Sequence, residues 1–140
     1  LAGGTPRLLG TDYSYVASPL GDSVAFAGYG ASSDGLRVAD LERKQEICRV
    51  TGANATGLTF LPDARGLIFR DYASTGSGKL VYLSLADCSE FELAKLDIDR
   101  VDGAIHPMPG VGFVDPTSCF AIVQSNAPGN VGTSLVLLPS

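Results

Sequence analysis

An internal repeat constrains this chain more than any other feature. Placing Pro19 over Pro62 sets Ser18-Pro19-Leu20-Gly21-Asp22-Ser23-Val24-Ala25-Phe26 on Leu61-Pro62-Asp63-Ala64-Arg65-Gly66-Leu67-Ile68-Phe69, 43 residues apart. Tyr29 then meets Tyr72, and after a Gly/Ser-rich stretch Leu36-Arg37-Val38 answers Leu80-Val81-Tyr82. A third copy is looser: Asp115-Pro116-Thr117-Ser118 stands for the turn and Ala121-Ile122-Val123 for the strand after it, 54 residues on. Repeats of this kind have a period of about 40 to 50 residues, so roughly ten residues are inserted between Ala94 and Gly112. The polar stretch from Asn126 to Gly132 leads into a last apolar run, Ser134 to Leu138.

Each copy reads as the same series: an inner strand, a Pro turn, a short apolar strand, a loop, a third strand and a more polar outer strand. Proline presets the dihedral angle for entering a tight turn, and Asp and Gly accommodate the rest. The product is a four-stranded antiparallel meander, which hides its apolar faces only by stacking on neighbours; such blades form closed rings of about four to eight. The expected fold is therefore all-β: a partial β-propeller of about three four-stranded antiparallel blades, near 11–52, 53–96 and 97–140. Residues 1–10 read as the outer strand of a preceding blade. Three blades do not close a ring, so completion is expected from missing sequence or from other subunits. The segment Leu41-Glu42-Arg43-Lys44-Gln45-Glu46-Ile47 is built of good helix formers. Its alignment within the repeat favours two strands joined by a charged hairpin, and the same holds for Cys88 to Lys95.

At these residues the chain resembles the TolB-like propeller repeats, whose usual pattern is a Ser-Pro-Asp-Gly turn, an apolar strand ending in Phe and a later strand leading to Asp-Leu. Here it stands as S-P-L-G-D-S-V-A-F with L-R-V-A-D-L, and as L-P-D-A-R-G-L-I-F with L-V-Y-L-S-L. Gly4-Thr5-Pro6-Arg7-Leu8-Leu9 looks like the strand that closes a repeat of this family. Leu20 stands where Asp is usual and Ala64 where Gly is usual, which touches the turn geometry more than the fold. The resemblance implies a periplasmic or extracellular protein of the bacterial envelope that works by binding other proteins. The blades of this family also serve as non-catalytic domains beside envelope hydrolases of the prolyl-oligopeptidase type.

Composition removes several other classes. Fifteen acidic against ten basic residues give a net charge of −5, with no basic cluster to neutralise phosphates, so no nucleic-acid partner is expected. The apolar run near the end is far short of the about twenty residues of a membrane-spanning helix. The chain opens on Leu1 without a basic, apolar and small-residue series, so any leader is expected to have been removed. With His106 as the sole histidine and no G-x-S-x-G elbow, no catalytic activity is expected, and no cofactor.

Asp97, Asp99 and Asp102 precede a glycine as in a calcium loop, but Val101 falls where the third oxygen ligand should stand; a solvated acidic loop is the ordinary reading. A carbohydrate- or metal-binding module built on this insertion is the rival to a protein-binding scaffold. Loops on a rigid frame carry recognition. That makes Tyr29, Asp34, Tyr72, His106 and Asn126 the candidate binding residues of one rim, the tyrosines serving equally well as packing between blades. Protein partners, or further copies completing the ring, are the expected ligands. In a meander, the turn after the third strand and the turn after the first share a rim, so Cys88 and Cys119 are placed to form a disulfide between blades. That leaves Cys48 over; three reduced, buried cysteines are the alternative.

Overall fold

The computed structural model describes residues 14–28, 35–72, 77–97, 110–125 and 132–139. All regular structure among them is β. The first sheet is a meander of β1 (Ser14–Ala17), β2 (Ser23–Ala27), β3 (Leu36–Asp40) and β4 (Gln45–Val50). The second repeats it with β5 (Ala55–Phe60), β6 (Gly66–Tyr72), β7 (Ser77–Ser84) and β8 (Glu90–Asp97). The third contains β9 (Gly110–Val114), β10 (Phe120–Ser125) and β11 (Gly132–Leu137). Every pairing is antiparallel. Among the described residues these are two four-stranded blades and a three-stranded third.

The three Pro turns are superimposable in their bonding. Gly21, Ala64 and Ser118 donate their N–H groups to the carbonyls of Ser18, Leu61 and Asp115 at 3.0, 2.9 and 2.9 Å. Ser18, Leu61 and Asp115 in turn donate to Ser23, Gly66 and Phe120 at 2.9, 2.9 and 3.1 Å, closing each hairpin. The fourth turn position is left-handed in all three, with φ of 73° at Gly21 and 58° at both Ala64 and Ser118. Only the first copy has the glycine that this region favours. The other two carry a Cβ there at a cost of about 1–2 kcal/mol.

The charged run at 41–47 resolves as a hairpin and a strand. Asp40 Oδ1 accepts the Arg43 N–H at 2.7 Å, Lys44 takes a left-handed φ of 56°, and Gln45 begins β4 opposite Asp40. Pairing with β3 overrides the helix propensity of these residues, because the isolated segment is too short to hold a helix without a packed face.

Alternation along the strands divides the apolar residues between two cores. Ala25, Leu36, Val38, Cys48 and Val50 of the first blade meet Phe60, Leu67, Phe69, Val81 and Leu83 of the second. The opposite face of the second blade presents Ile68, Leu80 and Tyr82 to Ala121, Val123 and Leu138 of the third. The middle blade is thus buried on both sides, which is why Leu67-Ile68-Phe69 and Leu80-Val81-Tyr82-Leu83 are uninterrupted apolar runs.

Candidate functional site

Strand direction sorts the connections onto two rims. The Pro turns and the hairpins at 41–44 and 85–89 share one; the ends of β2, β4, β6, β8 and β10 lie at the other. Tyr72 ends β6 at that second rim and is half-buried. Its N–H donates to the Asn54 carbonyl at 3.2 Å, and its own carbonyl accepts from Asn54 Nδ2 at 3.0 Å. Asp71 Oδ1 accepts the Asn54 N–H at 3.0 Å, and its Oδ2 lies 3.9 Å from Lys79 Nζ. The Tyr72 backbone is therefore pinned to the 51–54 connection between the first two blades, a rigid base for the chain that follows. The other residues assigned to this rim from the sequence, Tyr29, Asp34, His106 and Asn126, lie outside the described residues. Asp97 closes β8 opposite Ser77, while Asp99 and Asp102 lie outside the described residues. Among the described residues no group of three His, Cys, Asp or Glu is arranged to hold a metal.

At the Pro rim the second and third blades are joined by a polar latch that sequence reading missed. Arg65 Nη2 donates a short bond to the Ser118 carbonyl, and the Asp63 N–H donates to Ser118 Oγ at 3.4 Å. Asp63 Oδ2 stands 3.4 Å from Arg65 Nε and steadies the guanidinium. Ser118 is wholly buried under this contact. In the same turn burial pushes the Asp115 carboxyl up. Its bonds from the N–H of Phe120 at 2.7 Å, the Thr117 hydroxyl and the N–H of Thr117 at 3.0 Å outweigh that and hold it below the ordinary value. In the first blade the hydroxyls of Ser18 and Ser23, at 2.5 and 3.1 Å, lower Asp22 likewise.

The cysteines correct the expected pairing. The disulfide joins Cys48 to Cys88, with Cα atoms 5.5 Å apart, and Cys119 is a free thiol exposed on the Pro rim. Cys88 does sit in the hairpin after a third strand, at a left-handed φ of 59°. Its partner lies on the preceding blade instead of the following one. An outer strand still has two faces: in Ile47-Cys48-Arg49-Val50 the charged Arg49 turns outward while Cys48 and Val50 face the second blade, 3% and 8% exposed. That alternation was legible in the sequence and places Cys48 in the junction.

The two end faces of the stack differ from the two inner ones. On the first blade Tyr15, 80% exposed, lies in register with Phe26, over whose ring the Arg37 guanidinium sits 4.5 Å from the centroid. On the third blade Leu135 and Leu137 are 67% and 78% exposed, in register with Ile122 and Phe120. The first face thus carries two aromatic rings beside Arg37 and Arg49, and the third an apolar group of Phe120, Ile122, Leu135 and Leu137.

No family model and no curated protein matches the sequence. Solved structures do. TolB from Acinetobacter baumannii superposes on 87% of this chain with a TM-score of 0.54 at 14% identity, and a TolB-assigned protein from Agrobacterium tumefaciens on 86% with 0.51 at 20%. The fold is that of TolB-like propeller blades. This chain spans 29% and 42% of the lengths of those two chains, so it corresponds to part of a TolB-like ring. At these identities the likeness concerns fold alone. The three repeats, the Pro turns and the meander order read from the sequence are all present in it.

Proposed function

We propose that this chain is a non-catalytic, exported β-propeller scaffold whose work is the binding of other proteins. The observation that carries the reading is the adjacent exposure of Leu135 and Leu137, 67% and 78%, on one face of the third blade, which has the character of an association surface. The rim at which β6 ends, with Tyr72 on a pinned backbone, is a second surface of the kind on which recognition is built. The Cys48–Cys88 disulfide supports placement in an oxidising compartment such as the bacterial periplasm or the exterior, since structural disulfides are rare where thiols are kept reduced.

Two measurements test this. A photoactivatable side chain at Tyr72 or Tyr15 is expected to give discrete protein adducts in intact cells. Absence of adducts at both positions, or turnover of substrate by the purified chain, overturns the scaffold reading. Peptide mapping of the protein from its native source is expected to find Cys48 joined to Cys88 and Cys119 as a reactive thiol. Cys48 and Cys88 both found reduced overturns the exported assignment.

A further inference from the structure

We draw no further inference here: the strongest candidate, the surface patch of exposed Leu20 and Leu41 on the Pro rim of the first blade, where the second and third copies have Asp63 and Thr117 in the place of Leu20, carries none because nothing in the structure shows what covers it.

Discussion

The two blade junctions of this molecule bury apolar strands in the same way and are locked by different chemistry. Between the first and second blades the lock is covalent, Cys48 to Cys88, on a broad core that includes Leu36, Val50, Phe60 and Phe69. Between the second and third it is polar: Arg65 and Asp63 clasp the buried Ser118 above a smaller described core around Ile68, Tyr82 and Val123. A disulfide acts by restricting the unfolded chain and does not depend on salt or pH in its ordinary range. The latch depends on charge and on excluding water from one serine. The first junction should therefore behave as a permanent joint and the second as the place where the stack opens.

The largest effect expected is on the first junction. Cys48→Ala, or reduction of the disulfide, releases a crosslink spanning 40 residues and is expected to lower stability by about 2–4 kcal/mol. Hydrogen exchange should show the loss in β3, β4 and β5 before β10. Faster exchange confined to the third blade would break the comparison.

Next comes the latch. Arg65→Ala removes a charged donor from the Ser118 carbonyl and is expected to cost about 1–2 kcal/mol, with the third blade opening at lower denaturant than the first two. Arg65→Lys should not restore the loss, since a single ammonium does not reproduce the planar fork. Full rescue by lysine would show that charge alone holds the junction.

A smaller gain is expected from Ala64→Gly. The Ala64 backbone is left-handed at φ 58°, and the equivalent turn of the first blade already has Gly21 there. Relief of that strain, less the added freedom of the unfolded chain, should raise stability by about 0.5–1 kcal/mol, read as a higher midpoint in urea. A lower midpoint would mean that the Ala64 methyl packs in the latch.

The smallest effect concerns acid. Asp115 titrates below its ordinary value when folded, so its ionised form contributes stability above the unfolded value near 3.8, lost as pH falls through the folded one. The third blade should loosen below about pH 4, and Asp115→Asn should remove part of that dependence. An unchanged acid profile in the variant would assign the loss to Asp22 or Asp87, which are lowered by their serine neighbours.

Much of the fold was legible because its determinants are local. The Pro turns recur at matching positions, and a left-handed fourth residue follows from the turn even where Ala64 or Ser118 replaces glycine. In Ile47-Cys48-Arg49-Val50 the charged Arg49 between apolar neighbours declares which face is buried. That alternation turns Cys48 toward the neighbouring blade, where it pairs with Cys88 and leaves Cys119 free.

Other features have no local signature. Leu67-Ile68-Phe69 and Leu80-Val81-Tyr82-Leu83 are apolar throughout, and nothing in such a run states which residue faces which neighbour; packing between two blades assigns Phe69 to one core and Ile68 to the other. Residues 41–47 carry helix propensity and form a hairpin because β3 offers a partner strand. The disulfide and the Arg65 latch join groups 40 and 53 residues apart, distances that only the stacking of blades brings within bonding reach. Short-range sterics and periodicity thus specify the blades, and the contacts between blades follow from burial once the blades are stacked.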